Sequence, residues 1–235
     1  MEVVILCGGK GTRLSEYTQS IPKPMIEIGG KPILLHIMKF YASFGHKEFI
    51  LCLGYKGDKI QEYFKDIKEW NIGFVNTGED SNKAERLVKV KNKINGNTFL
   101  VSYGDDISDI DVNEIIKFHN IKRKIVTLTA VPLISPFGIV ELNGRNEVIN
   151  FKEKPKLNHL INGGFYVMEK KIFDFIKQGY DLEKETFEEL AKHNQIVAFK
   201  HNGFWKSMNT LKDVIELNEL YNKGDAPWIK LIGKG

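Results

Sequence analysis

The sequence predicts an α/β fold in which a mostly parallel sheet is covered by helices on both faces. Three observations carry that expectation. Apolar runs without a helical period occupy residues 2–7, 48–53 and 99–103, the pattern of strands buried on both faces. Stretches with apolar residues at helical spacing separate them, so the chain reads as repeated βα units. At 235 residues, 42% hydrophobic and 27% charged, it has the material for one sizeable core, and a single domain over 1–235 is expected.

The elements follow in order. Residues 32–44 read as a helix, with Pro32 suited to its first turn and Gly45 placed to end it. A second helix is expected at 57–66, a short strand at 72–75, and a third helix at 83–94 with Leu87, Val90 and Ile94 on one face. Asp109 and Asp111 read as solvent-facing residues or N-caps of a helix that starts near Val112. The second half differs. Strands are expected at 125–131 and 164–168, and 137–142 pairs with 147–151 around Asn143-Gly144-Arg145-Asn146, a smaller antiparallel part. Helices close the chain at 183–193 and 211–221, the latter turning Val214, Leu217, Leu220 and Tyr221 inward. The aromatic stretch 199–205 is expected to fill core and support a site rather than to bind.

Composition excludes several classes. Net charge is +4, with 34 basic and 30 acidic residues interspersed, so the concentrated basic face of a nucleic-acid binder is not expected. No apolar stretch approaches the roughly 20 residues that span a bilayer, and Met1 leads directly into a strand. A cytoplasmic protein without membrane contact is the expectation. Cys7 and Cys52 lie inside apolar runs and read as buried free thiols. The histidines lie scattered without metal spacing, and none is assigned a role.

Chemistry concentrates after the first strand. Gly8-Gly9-Lys10-Gly11-Thr12-Arg13 can fold its backbone closely around an anion and turn N–H groups inward. It is neither a Walker loop, which needs Gly-Lys in the opposite order, nor the dinucleotide fingerprint, which Thr12-Arg13-Leu14 breaks. Pro22-Lys23-Pro24 then holds a lysine between two residues of fixed φ. Arg13 and Lys23 would suit a triphosphate, whose transferring phosphorus and leaving pyrophosphate need fixed positive partners. A tight βα turn with two solvated cations fits the same residues. Ligands of such sheets collect beyond the carboxyl ends of the strands, which makes Asp105, after the strand at 99–103, a candidate Mg²⁺ ligand or else a turn carboxylate.

Leu6-Cys7-Gly8-Gly9-Lys10-Gly11-Thr12-Arg13-Leu14, followed by Ile21-Pro22-Lys23-Pro24-Met25, resembles the signature of the sugar-1-phosphate nucleotidyltransferases, nearest to the cytidylyltransferases that act on glucose 1-phosphate. The likeness runs nearly end to end, through Thr77-Gly78-Glu79-Asp80-Ser81, Tyr103-Gly104-Asp105, Phe151-Lys152-Glu153-Lys154-Pro155, Ile161-Asn162-Gly163-Gly164-Phe165 and His201-Asn202-Gly203-Phe204-Trp205. It implies a Rossmann-like three-layer αβα nucleotidyltransferase fold, with 1–124 mainly nucleotide-binding and 125–235 mainly sugar-phosphate-binding.

The implied reaction condenses a nucleoside triphosphate, CTP before others, with a sugar 1-phosphate, glucose 1-phosphate before others. A nucleotide-sugar for surface polysaccharide or glycan precursors and pyrophosphate result, with Mg²⁺ as cofactor. The resemblance places nucleotide contacts on Leu6, Cys7, Gly8, Gly9, Gly11, Thr12, Arg13, Lys23, Ser81, Arg86 and Gly104, and catalysis on Arg13, Lys23 and Asp105. It places the sugar phosphate on Gly138, Glu153, Lys154, Asn162 and Gly163, and Mg²⁺ on Asp105 with Asn209. A homo-oligomer is implied by resemblance alone.

Four departures stand out. Ser207-Met208-Asn209-Thr210 has Asn where the family shows a second metal-binding Asp, which keeps an oxygen and loses the charge. Asn82-Lys83-Ala84-Glu85-Arg86 lacks the paired glycines that precede Arg-Leu, and Asp106 stands where Gly is usual. The segment between Tyr63 and Val75 is short where the glucose-1-phosphate enzymes carry an insertion. Two further readings therefore stay open: the same chemistry with another nucleotide or a non-glucose acceptor such as heptose, and a catalytically weak nucleotide-binding paralogue.

Overall fold

The apolar runs pair into one sheet of seven strands: β1 (Glu2–Leu6), β2 (Glu48–Leu53), β3 (Asn71–Asn76), β4 (Thr98–Tyr103), β5 (Val126–Ile134), β6 (Lys156–Glu169) and β7 (Ile196–Lys200). This is the architecture of a computed structural model that describes residues 1–232. The order is β7-β5-β6-β4-β1-β2-β3, and every pairing is parallel except those of β6, which runs against both β4 and β5. The sheet is mostly parallel, as expected, and runs through both halves of the chain.

Alternation along β1 shows the layering. Val3 and Ile5 point to one face, where α1 (Ile33–Ser43), α2 (Gly57–Phe64), α4 (Val112–Lys122), α6 (Leu211–Asn222) and α7 (Pro227–Ile232) pack. Val4 and Leu6 point to the other, against α3 (Lys83–Val90) and α5 (Glu188–Lys192). Val3, Val4 and Ile5 are each 0% exposed. Burial of a side chain of that size stabilises by about 1.5–3 kcal/mol, so β1 is fixed from both sides. Gly45 takes φ +85° and stops α1, a conformation a Cβ would oppose.

Three expectations need correction. The strand placed at 164–168 is nearly three times as long, 14 residues, because its outer half pairs with β5 through Leu160 and Pro132 while its side chains stay largely exposed. Backbone pairing, which leaves no apolar signature, defines that half. The helix expected over 183–193 opens with a π-wound turn at Leu182–Phe187 before α5. Asp109 is neither solvent-facing nor a cap: its Oδ1 accepts from His201 Nε2 at 2.9 Å and from the Phe204 amide at 2.7 Å. Asp111 does cap α4, accepting from the amides of Asn113 and Glu114. The paired segment of the second half forms as Ile139–Leu142 against Val148–Lys152.

Candidate active site

β1, β2, β3 and β4 end on the same side of the sheet, and the turns that follow them meet there. The Gly loop after β1 is held from below by Arg86 on α3, which is 4% exposed. Its Nη1 donates to Leu53 O (3.2 Å), Thr77 Oγ1 (2.6 Å) and Gly78 O (2.8 Å), and its Nη2 to Gly8 O (3.0 Å) and Glu79 O (3.2 Å). One planar guanidinium thus ties together the turns after β1, β2 and β3. A Cβ on Gly8 would lie 1.9 Å from Arg86 Nη1, so the missing side chain is needed by the arginine. Arg86, expected among the nucleotide contacts, lines the cleft, and its terminal nitrogens also hold the loop through protein oxygens. Asn82 begins α3 with a capping box, accepting from Glu85 N while Glu85 Oε2 accepts from Asn82 N. That device occupies the place where paired glycines were missed.

Further along the loop, Gly11 takes φ +62°, which lets Thr12–Leu14 turn as a 3₁₀ segment with Leu14 N bonded to Gly11 O at 2.9 Å. Arg13 lies exposed on the rim. Lys23 follows the extended Pro22 and points into the site, its side chain 12% exposed. Its Nζ donates to Asp105 Oδ2 and, at 2.9 Å, to Asn209 Oδ1. Asn209 is delivered by a two-stranded ribbon, Asp106–Ser108 with Trp205–Ser207, and by Met208 N bonded to Asp105 O at 2.9 Å. The Lys23 ammonium therefore sits between two oxygen acceptors, one from mid-chain and one from near the C-terminus.

Deeper polar groups line the wall. Asn162 Nδ2 donates to Tyr166 OH at 2.6 Å, Tyr166 to Tyr103 at 2.7 Å and Tyr103 to Glu183, which Lys83 approaches at 2.6 Å. Burial pushes the Glu183 carboxyl above its ordinary pKa, and burial likewise raises Tyr103 and Tyr166. Asp106 is 4% exposed. Burial, then the Asp105 charge, pushes its carboxyl well above the usual range, against the pull of Ser207, Lys23 and Lys83.

Leu6, Cys7, Gly8, Gly9, Gly11, Thr12, Arg13, Lys23, Ser81, Arg86, Gly104, Asp105, Asn162 and Asn209 line one cleft of about 590 Å³. A neighbouring chamber of about 810 Å³ is lined by Lys154 and shares Trp205, Ser207 and Asn209 with the first. Gly163 lines neither space itself; its carbonyl accepts from Nε1 of Trp205, which lines both, at 2.7 Å. Gly138 and Glu153 line neither space. A Cβ on Gly138 would meet Phe151 Cζ at 2.6 Å, and Glu153 pairs with Lys154 at 3.7 Å on the surface. Sequence reasoning gave no site role to Lys83, Asp106, Asp181, Trp205 or Ser207, which also line the cleft. Only the aromatic stretch signalled Trp205; isolated polar residues signal nothing. Among the described residues, no group of three or more His, Cys, Asp and Glu is arranged to hold a metal.

Residues 2–224 match the model of a family described as nucleotidyl transferase. The chain belongs to that family. This nucleotidyl transferase is 40% identical to a probable glucose-1-phosphate cytidylyltransferase of Bacillus subtilis, over 97% of its own length and 99% of the relative's. It is 41% identical to the glucose-1-phosphate cytidylyltransferase of Salmonella typhimurium, over 97% and 98% of the two chains. Those alignments run over 252 and 254 positions, longer than this chain, so the relatives carry segments that it lacks. HddC from Yersinia pseudotuberculosis has a similar structure, with 26% identity, TM-score 0.73 and coverage of 94% of this chain and 99% of that one. A putative glucose-1-phosphate thymidylyltransferase from Bacillus anthracis shares the fold at 19% identity and TM-score 0.74, covering 94% of each chain.

Proposed function

We propose that this protein transfers the cytidylyl group of CTP to glucose 1-phosphate, giving a nucleotide-sugar and pyrophosphate. The observation that carries the reading is the meeting of Arg13, Lys23, Asp105 and Asn209 in one cleft of a chain about 40% identical to two glucose-1-phosphate cytidylyltransferases. Residues 1–124 form the mainly nucleotide-binding half, and 125–235 mainly receive the sugar phosphate.

A phosphate oxygen of the sugar attacks the α-phosphorus; the new O–P bond forms as the bond to pyrophosphate breaks. The attacking monoester has its second pKa near 6, so it is largely dianionic at neutral pH and needs no general base. No residue becomes covalently attached. Lys23 leaves its two oxygen partners for the α-phosphate, and Arg13 neutralises the departing pyrophosphate. Lys154 orients the nucleophilic phosphate while Glu153 accepts sugar hydroxyls. Mg²⁺ fits Asp105 and Asn209, because both are hard oxygen donors that already converge on a cation, and magnesium is held by one or two carboxylates with substrate phosphates. When bound it supplies charge neutralisation along the triphosphate.

Free thiols at Cys7 and Cys52 and the metabolite substrates support a cytoplasmic location. No helix among the described residues is long and apolar enough to cross a membrane. Phe137 at 73% exposure and Ile149 at 63%, with Val140, Leu142, Val148 and Phe151 beside them, support a homo-oligomer that covers this hairpin. The size of the second chamber favours, as second reading, the same chemistry on a bulkier acceptor such as a heptose phosphate. The test is pyrophosphate release from CTP, UTP, dTTP, GTP and ATP, each with glucose and heptose 1-phosphates. Highest turnover with CTP and glucose 1-phosphate supports the reading; a different best pair moves the substrates.

A further inference from the structure

The turn after β2 braces the Gly loop from outside the cleft. Thr18 ends the short helical turn Ser15–Thr18 and is 4% exposed. Its Oγ1 donates to Gly11 O at 3.3 Å, and a Cβ on Gly11 would lie 2.9 Å from Thr18 Cγ2 and 3.0 Å from Lys23 Cβ. Thr18 and Lys23 therefore both press on Gly11. The carbonyls of Thr18 and Gln19 accept from no backbone amide among the described residues, as expected where a helical turn stops. Side chains of the next turn supply the donors instead. Tyr55 OH donates to Thr18 O at 2.9 Å, and Lys56 Nζ donates to Thr18 O at 3.3 Å and to Gln19 O. Tyr55 N also donates to Gly8 O at 3.2 Å, so one dipeptide grips the segment 8–19 at both ends.

Lys56 holds this place against its own backbone preference. It precedes α2 with φ +50° and ψ +35°, the left-handed region in which a side chain is disfavoured and glycine is at ease. Such strain persists only where the surroundings fix it, and here they fix the ammonium on two carbonyls. We infer that Tyr55 and Lys56 are positioning residues, which touch no substrate and act through Thr18 to set where Gly11, Arg13 and Lys23 stand. Neither lines the cleft or the neighbouring chamber, and Arg13, exposed on the rim, lies between the two gripped ends. The brace exists in the ligand-free fold; its effect on turnover rests on the proposed function.

The test combines amide hydrogen exchange with steady-state kinetics on the full chain, in Lys56→Gly, Tyr55→Phe and, as a charge control, Lys59→Ala. Lys56→Gly removes the ammonium and relieves the backbone together. Its Tm should stay within about 3 °C of the parent's, while amides of residues 12–21 exchange at least about tenfold faster and those of β2 do not change. For CTP and glucose 1-phosphate, kcat should fall about 10–100-fold with KM for glucose 1-phosphate within about threefold, the signature of misplaced rather than missing groups. Tyr55→Phe should show the same pattern at smaller amplitude, and Lys59→Ala neither change. Faster exchange without loss of kcat, or loss of kcat with exchange at 12–21 unchanged, overturns the positioning role. So does a fall in Tm with exchange raised throughout the chain, which a merely structural role would give. If Lys56→Gly does not fold, Tyr55→Phe decides on the same two readouts. If the parent turns over no substrate, the proposed function fails, and local exchange alone then decides the brace.

Discussion

The Gly-loop end of the sheet and the acceptor hairpin are built in opposite ways. At the first, β1 is buried on both faces, Arg86 ties three turns together, and Lys23 is held between Asp105 and Asn209 before any ligand arrives. At the second, Glu153 and Lys154 follow a two-stranded hairpin whose side chains are largely exposed, and their mutual contact is exposed at 3.7 Å. An exposed pair of this kind contributes about 0–1 kcal/mol. On the proposed function, the triphosphate would meet a preorganised surface, whereas the sugar phosphate would meet groups that its own binding must order. Substitutions on the two sides should separate accordingly.

The largest effect is expected at Lys23. Lys23→Ala should lower kcat by about 10²–10³, the range for loss of one preorganised donor, while the fold stays intact because Asp105 and Asn209 remain open to water. Near-normal kcat would remove Lys23 from the transition state. Arg86→Ala comes next and should act through stability. Loss of five hydrogen bonds to three turns is expected to cost about 3 kcal/mol, seen as a Tm lower by roughly 6–12 °C. A stable Arg86→Ala protein with weakened nucleotide binding would instead return Arg86 to direct contact. On the acceptor side, Lys154→Ala should raise KM for the sugar phosphate about tenfold and leave the Kd for CTP unchanged, since one surface cation is lost. Equal losses for both substrates would erase the distinction between the two regions.

The smallest effect concerns pH. Burial lowers the His46 imidazole from its ordinary 6.5 to about 4. The folded state thus binds its proton less readily than the unfolded chain, so this contribution is complete above pH 6.5 and is lost as pH falls toward 4. Thermal stability should decline over that window, and less so in His46→Gln. An unchanged slope would show that other groups govern it.

What the sequence disclosed follows the same division. β1, β2 and β4 were legible because strands buried on both faces show unbroken apolar runs, and the Gly loop because its glycines mark a tight turn after β1 and two prolines fix its lysine. The outer half of β6 was not, since Asn158 and His159 face solvent and only pairing with β5 makes it a strand. That Arg86 also ties three turns together was not legible, because a family pattern records that an arginine is present, not that helix α3 turns it inward under those turns. Asp106 read as a departure from a pattern; its partner Ser207 lies about 100 residues away in the chain and meets it only through the ribbon.

The most direct test of the central claim is ³¹P NMR of CTP mixed with glucose 1-phosphate, magnesium and the protein. Paired diphosphate resonances of a nucleotide-sugar should grow in step with pyrophosphate, and Lys23→Ala should abolish both on the same time scale. If neither signal appeared while calorimetry still registered CTP binding, the cleft would be a nucleotide-binding site without transferase activity.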